Sequence, residues 1–414
     1  MKSLRLGALS SVLFIGTGAF AQTTLQTATF ETPPYTTGLL VPDASVAGQQ
    51  GWFSTTTTAS VAASLGAVNP HFGNQLLATQ TRTGANQGRW WWLDASAFNA
   101  SAIPNKIVVG TAYFYTGASS VFDGYIGMQA YDITGGTILG QIFYDEFNNQ
   151  PFVGNDTSGI VYSFGTFGSP GTFDPRGAWR RMDLVMDYPK GIVRGYYEGL
   201  PFETATNEGE AMTDPLASFG DFDPYTFSFV SQAAKDVAID TYRVRVYDGS
   251  KQTISGRVTF GDFDPTLTGG RGITVRLEDI TNLGTVAATY WTTTDANGFF
   301  EVVTSLQGTF NIYVKGATWL QEDMGEYTFG PTAGIPNRTT PYTALDDSNP
   351  INGDVDGDNE VSILDYLELS AKYGLTTSDP GFNPNADLDG DGEVSILDYL
   401  ILSANYGLVG DGPL

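Results

Sequence analysis

Aspartates at alternate positions are where this sequence could do chemistry. Residues 354–374 read DVDGDNEVSILDYLELSAKYG and residues 387–407 read DLDGDGEVSILDYLILSANYG, identical at 17 of 21 positions with an offset of 33. A hard divalent cation takes six to eight oxygens at about 2.3–2.6 Å, and alternate residues of a tight loop can turn inward together. Ligand positions 1, 3, 5, 7, 9 and 12 of such a loop fall on Asp354, Asp356, Asp358, the backbone carbonyl of Glu360, Ser362 (through water) and Asp365. In the second copy they fall on Asp387, Asp389, Asp391, the carbonyl of Glu393, Ser395 and Asp398. The reading is two calcium ions, one per copy. Position 6 needs a sharp turn. Gly392 supplies it in copy two, while copy one has Asn359, the next best residue for a left-handed backbone, and is expected to bind slightly more weakly.

The elements that must hold these loops are short helices. Ser362 and Ser395 sit where a helix would start, each with an acid three residues on, as in a capping box. The helices are predicted to run to about Tyr373 and Tyr406 and to end on Gly374 and Gly407. Turn-formers precede each loop, Asn349-Pro-Ile-Asn-Gly353 and Pro380-Gly-Phe-Asn-Pro-Asn-Ala386, so no entering helix is expected. Val361, Leu364, Leu367 and Ala371 read as one packed stripe, with Ile363, Tyr366, Ile396 and Tyr399 projecting elsewhere.

A loop-then-helix unit without its entering helix, duplicated within about 55 residues, resembles the type I dockerin family over residues 352–408. Asp at position 12 is the usual choice in that family. The resemblance implies that loop positions 10 and 11, Ile363-Leu364 and Ile396-Leu397, face a cohesin-type protein partner. Packing within the module or against the preceding domain is the alternative for these four residues.

Charge points the same way. Residues 351–414 hold 13 Asp/Glu and one Lys, so compaction needs a cation. The whole chain carries a net charge of −25, which repels phosphate backbones and anionic membrane surfaces, so neither nucleic acid nor membrane insertion is expected. Lys2 and Arg5, the apolar run around Val12-Leu-Phe-Ile15 and Ala19-Phe-Ala21 read as a secretory leader over 1–21. The protein is therefore expected outside the cell, with cell-surface association left open. Cysteine is absent, which excludes disulfides, thiolate metal sites and thiol nucleophiles.

The rest of the chain reads as β-structure, giving a mainly β fold with a small helical module at the end. Ile107–Tyr115, Tyr125–Tyr131 and Thr241–Tyr247 are rich in β-branched and aromatic residues with partial period-two alternation, and suggest one large sandwich over 22–250. Phe30-Glu-Thr-Pro-Pro-Tyr35, Gly48–Trp52, Gly73–Leu77, Trp179–Asp187, Gly195–Gly199 and Asp236–Arg245 resemble secreted concanavalin-like (laminin-G-like) jelly rolls. Residues 251–345, from Thr253–Phe260 through Ile273–Leu277 to Gly308–Lys315, resemble the small prealbumin-like sandwiches of carboxypeptidase regulatory-like repeats, which serve as spacers. Asp295-Ala-Asn-Gly298 reads as a hairpin turn, and residues 339–351 as a polar linker before a module at 346–414.

Catalysis has little to build on. The one histidine, His71, makes a Ser-His-Asp triad improbable. Asp145-Glu146 and Glu208-Gly-Glu210 lack the alternating acidic pattern of jelly-roll glycosidases. In Arg89-Trp-Trp-Trp-Leu93, Trp90 and Trp92 share one face and Trp91 the other; aromatic core is the reading, with one face left that could stack on a sugar. The expected protein is non-catalytic: a head that binds carbohydrate or a surface polymer, and a calcium-dependent docking tail. A polysaccharide-degrading hydrolase with its site in the N-terminal jelly roll is the alternative.

Overall fold

The computed structural model describes residues 23–28, 30, 34–43, 47–65, 68, 70–71, 75–93, 106–117, 123–161, 176–202, 208–263, 270–330 and 341–412. The expected leader lies outside the described residues, as do 31–33 and 73–74 of the jelly-roll resemblance. The described chain is mainly β with two helices, α1 at Ile363–Lys372 and α2 at Ile396–Asn405.

Two antiparallel sheets make the large sandwich. A ten-stranded sheet is centred on Lys106–Thr116, Arg180–Asp187 and Asp236–Asp248. A seven-stranded sheet includes Gln87–Leu93, Gly124–Asp132, Ile138–Asp145, Gln150–Gly154 and Phe219–Ser228. Period-two alternation sets which side chains meet between them. Tyr242, Val244 and Val246 enter the core from one sheet; Trp91, Ile126, Met128, Ile142 and Phe222 enter from the other. The Tyr242 hydroxyl ties the layers by donating to Phe222 O at 2.9 Å.

The small sandwich has seven strands. Phe299–Thr304, Gln252–Val258 and Tyr342–Ser348 form one sheet; Val286–Thr293, Gly272–Asp279, Gly308–Gly316 and Glu322–Phe329 form the other. Two expectations are corrected here. Asp295–Gly298 is a turn, with Gly298 at φ 83°, but it carries the chain from one sheet to the other and joins no hairpin. The supposed linker holds a strand, Tyr342–Ser348, paired in parallel with Gln252–Val258. Its Tyr342, Ala344 and Leu345 are buried, and core contacts outweigh the turn-forming residues beside them.

A buried polar seam joins the two sandwiches. Arg243 and Arg245 lie on the face of their strand away from the large core, and both pair with Glu301 of the small sandwich, at 2.9 and 2.8 Å. Arg181 donates to Leu345 O at 3.0 Å, and Tyr196 OH donates to Tyr342 O at 2.7 Å. Asp347 collects Tyr113 OH at 2.6 Å and Arg257 at 3.2 Å. Arg257, and then Arg181 at 3.4 Å, hold the Asp347 carboxyl below its usual range despite its burial.

Candidate functional site

Each acidic loop is wound by its own carboxylates before any ion is considered. In copy one Asp354 Oδ2 accepts the N–H of Asn359 at 3.0 Å, Asp356 Oδ1 that of Asp358 at 3.1 Å, and Asp358 Oδ1 that of Glu360 at 3.0 Å. In copy two Asp387, Asp389 and Asp391 accept from Gly392, Asp391 and Glu393 at 3.1, 3.1 and 2.9 Å. These bonds curl the backbone so that side chains two apart converge.

The helices close the loops as capping boxes. Ser362 Oγ accepts the N–H of Leu364 at 3.1 Å, and Asp365 Oδ2 accepts that of Ser362 at 2.7 Å. Ser395 and Asp398 repeat this at 3.1 and 2.7 Å. The position-12 carboxylates also reach back into their loops. Asp365 Oδ1 accepts from Asp356 at 3.0 Å; Asp398 Oδ1 accepts from Leu388 at 2.5 Å and Asp389 at 3.1 Å. Tyr373 and Tyr406 end the helices, with Gly374 at φ 78° and Gly407 at φ 84° beyond them.

Each loop therefore brings three carboxylates together. Oxygens of Asp354, Asp356 and Asp365 lie within 4.8 Å of one another, and so do those of Asp387, Asp389 and Asp398. Asp358 and Asp391 stand outside these clusters, exposed at the loop rims. The Ser362 and Ser395 hydroxyls serve the helix caps. Two atoms mark where a cation belongs: Asp354 Oδ1 and Asp387 Oδ1 are buried and have no hydrogen-bond partner. A buried acceptor without a donor is costly unless an ion takes it, so the residues fit a hard cation. Burial pushes the Asp387 carboxyl up to about 6, with Asp398, Asp389 and Asp391 adding to the effect. It raises Asp354 too, against the opposing pull of Lys315.

The two copies lock each other. Val361 N donates to Leu408 O, and Gly407 N to Val361 O, both at 2.8 Å, so the chain after α2 pairs with loop one. Gly374 N to Val394 O at 2.7 Å and Val394 N to Leu375 O at 2.8 Å do the same for loop two after α1. Val355, Val361, Leu369, Ala386, Leu388, Val394 and Leu402 form the core between them.

The helix stripe read from sequence is corrected. Val361, Asp365 and Leu369, four apart, turn inward, because the loop-closing carboxylate fixes the phase of the helix; Leu364, Leu367 and Ala371 face solvent. Ile363 and Leu364 are 53% and 52% exposed, and Ile396 and Leu397 53% and 51%, an unusual openness for paired large apolar side chains. Tyr366 and Tyr399 meet edge-on between the helices at 5.9 Å.

Residues 352–405 match the family model of the dockerin type I domain. Dockerin domains bind calcium, and both acidic clusters lie inside the matched segment. Among solved structures the chain is similar to a type II cohesin–X-dockerin complex from Acetivibrio cellulolyticus, at 24% identity over 38% of this chain and 97% of that one, TM-score 0.27. It is also similar to the cellulose-induced protein Cip1, at 12% identity over 53% and 96%, TM-score 0.34. A third likeness is to an endo-β-1,4-glucuronan lyase from Trichoderma reesei, at 14% identity over 48% and 92%, TM-score 0.34. No curated protein matches the chain.

The dockerin segment is seated on the small sandwich. Leu320 N donates to Ile351 O at 2.7 Å, and the N–H groups of Gly353 and Asp354 both donate to Thr318 O at 2.9 Å. Leu320 also enters the dockerin core. Lys315 is buried; its ammonium donates to Trp319 O at 3.0 Å and to Asp354 Oδ2.

The other candidates of the sequence have structural partners. His71 contacts Arg257 through Nδ1 at 3.1 Å and stacks on Tyr113; burial, then Arg257, lowers its pKa to about 4 and keeps it neutral. Glu146 pairs with Lys235 and Glu208 with Lys190, each at 2.5 Å. Trp91 is core, whereas Trp90 and Trp92 are half-buried on the opposite face. Sequence reasoning missed Asp221 and Asp223. Their signal was available as Asp221-Phe-Asp-Pro-Tyr225, a strand with acids at alternate positions.

Among the described residues no helix is long and apolar enough to cross a membrane.

Proposed function

We propose that the protein is a secreted, non-catalytic modular component: a carbohydrate- or surface-binding head at 22–250, a spacer from 251 that closes with the strand Tyr342–Ser348, and after it a calcium-loaded docking tail that engages a cohesin-type partner. One observation carries it. The duplicated Ile363-Leu364 and Ile396-Leu397 pairs stand exposed at the first turns of two helices whose loops have the chemistry of a calcium site. Asp354, Asp356, Asp358, Asp365 and the Glu360 carbonyl would hold one ion, with Ser362 at position 9. Asp387, Asp389, Asp391, Asp398, the Glu393 carbonyl and Ser395 would hold the second. The ions would neutralise carboxylates that otherwise repel, and the helices would then present the apolar pairs. An immobilised type I cohesin should retain the full chain in calcium and release it in EDTA. Retention that ignores EDTA, or survives Asp replacement of Ile363, Leu364, Ile396 and Leu397 together, would refute the docking account.

The hydrolase reading is favoured by Asp221 and Asp223 alone. Glycosidases hold their two carboxyls about 5–9.5 Å apart to flank the scissile bond. Asp221 and Asp223 are hydrogen-bonded to each other, an arrangement suited to gripping hydroxyls rather than to cleaving between them. Release of new reducing ends from a plant or microbial polysaccharide would restore the hydrolase.

A further inference from the structure

We propose that the outward face of the seven-stranded sheet binds a neutral polysaccharide at Trp90, Gln129, Asp221 and Asp223. The proposal rests on the reading of the head as carbohydrate-binding, and names its site and ligand class.

Register places the groups. Trp90, Tyr225, Gly127, Phe143 and Phe152 follow one another across five strands, and Asp223, Gln129 and Gln141 form the next row on the same face. Asp221 stands opposite Tyr131 one row further. The core-facing set alternates with these: Trp91, Ile126, Met128, Ile142 and Phe222.

Two buried polar atoms on this face have no partner. Asp223, 7% exposed, leaves Oδ1 without a hydrogen bond, and the buried Tyr225 hydroxyl has none either. A buried polar atom left without a partner is costly. Two of them, two residues apart on one strand face, offer hydrogen-bonding capacity that a polar ligand can take. A hydroxyl needs an acceptor and a carboxyl oxygen takes a donor; a sugar hydroxyl offers both. Around them the side chains are hydrogen-bonded to one another. Trp90 Nε1 donates to Gln129 Oε1 at 2.8 Å, Tyr131 OH donates to the same oxygen at 2.8 Å, and Gln129 Nε2 donates to Gln141 Oε1 at 3.0 Å. The Trp90 ring lies 8° from parallel with Tyr225 at 6.2 Å, and Phe143 is stacked between Tyr125 and Phe152. Flat aromatic rings beside fixed amides and carboxyls match a pyranose, which has apolar C–H faces and an equatorial rim of hydroxyls.

Charge narrows the ligand class. Arg89 is the one basic residue in the seven strands; it alternates with Trp90, and its guanidinium contacts Thr58. Among the described residues, Asp145 and Asp221 are the charges on the outward face and no basic side chain of these strands shares it, so uronates and sulfated polymers meet repulsion there. Burial, and then Asp221, push the Asp223 carboxyl well above its usual range, which leaves it a donor as well as an acceptor.

Native gel electrophoresis of the calcium-loaded full chain through soluble polysaccharides tests this. Hydroxyethylcellulose, mixed-linkage β-glucan and xylan serve as neutral probes, alginate and polygalacturonate as anionic ones. At least one neutral polymer should retard the protein and the anionic ones should not. Trp90→Ala and Asp221→Asn should each weaken retardation at least tenfold, with Gln129→Leu as a third variant if either melts early. Trp291→Ala is the control: that tryptophan is 76% exposed on the small sandwich and would dominate generic aromatic stickiness. No retardation by any neutral polymer, preference for a polyuronate, or loss on Trp291→Ala with retention in Trp90→Ala would each overturn the proposal. Cohesin capture, read on the same samples, fails or succeeds independently of this face.

Discussion

The two calcium-type loops are nearly the same sequence in two different surroundings. Their local geometry repeats closely: turns closed by aspartates two apart, a serine cap, and a position-12 carboxylate that accepts from both cap and loop, with Leu388 N an added donor to Asp398. What surrounds them does not repeat. Loop one is built into the small sandwich, with Lys315 on Asp354 Oδ2, Asn359 Oδ1 accepting the N–H of Gln321 at 2.7 Å, and three backbone bonds to Thr318 and Ile351. Loop two meets that sandwich through Phe263, whose ring lies against Gly390, and has Arg271 near Asp387. Duplication therefore copies the site, while packing outside the repeat makes the copies unequal.

The largest effect should come from the closing carboxylates. Asp365→Ala and Asp398→Ala each remove one member of a cluster together with the acidic half of a helix's capping box. Calorimetric titration of the full chain should fall from two calcium ions to one in either variant, the altered loop losing at least about 100-fold in affinity. The comparison predicts different collateral damage. Asp398→Ala should melt α2 outright, whereas Asp365→Ala should leave α1 partly held by the small sandwich, as judged by amide exchange at Leu369 and Leu402. Equal loss of protection in both variants would break the comparison.

Next in size is Lys315. In the absence of calcium its ammonium is the cation nearest loop one, so EDTA should melt α2 before α1. Lys315→Met removes that charge and should bind calcium at loop one on the order of tenfold more tightly, since a like charge no longer faces the ion. The same variant should be less stable in EDTA, because Asp354 is left buried without its partner. Weaker binding at loop one would instead mean that Lys315 chiefly holds Asp354 in place. Loop two should be indifferent either way.

This asymmetry could not be read from the repeat, and the reason is instructive. The loops, caps and glycine stops depend on residues within a single copy of the repeat, so Asp354 to Gly374 carried their own instructions. Lys315 and Asp354 are 39 residues apart, and nothing local in Gly308–Gly316 says that its penultimate side chain will meet a carboxylate. The strand Tyr342–Ser348 was hidden for a similar reason: its pairing is parallel and long-range, and its flanking prolines argued for a linker. Alternation at Tyr242–Val246 correctly gave a packed and a polar face, but only the structure shows the polar one covered by Glu301. Asp221 and Asp223 were legible as an alternating pair; attention to adjacent acids passed over them.

A smaller contrast lies at the matched glycines 357 and 390. Both have left-handed φ, 84° and 73°, so alanine at either costs about 1–2 kcal/mol. Open space surrounds Gly357. A Cβ on Gly390 would lie 1.7 Å from Phe263 Cζ, and that ring is itself covered by the Arg271 guanidinium at 3.3 Å. Overpacking adds about 1–3 kcal/mol. Thermal melts in saturating calcium should therefore rank Gly390→Ala clearly below Gly357→Ala. Phe263→Ala should bring the two glycine variants together, and its failure to do so would show that Phe263 does not brace loop two.

Position 6 should give the smallest change, and it tests the expectation that Asn359 weakens copy one. Asn359 adopts φ 72°, close to the 92° of Gly392, so both loops make the turn. Glycine at 359 would relieve left-handed strain worth about 1 kcal/mol. It would also strip the Gln321 N–H of its acceptor inside the interface, worth about 1 kcal/mol in the opposite direction. Asn359→Gly should leave calcium affinity at loop one within about threefold and shift the melting temperature by no more than a degree or two. Asn359→Ala keeps the strain and loses the bond, so it should be the worse variant. If Asn359→Gly bound calcium tenfold more tightly, asparagine would be a weakness of the loop; an unchanged affinity makes it the residue that joins the turn to the sandwich.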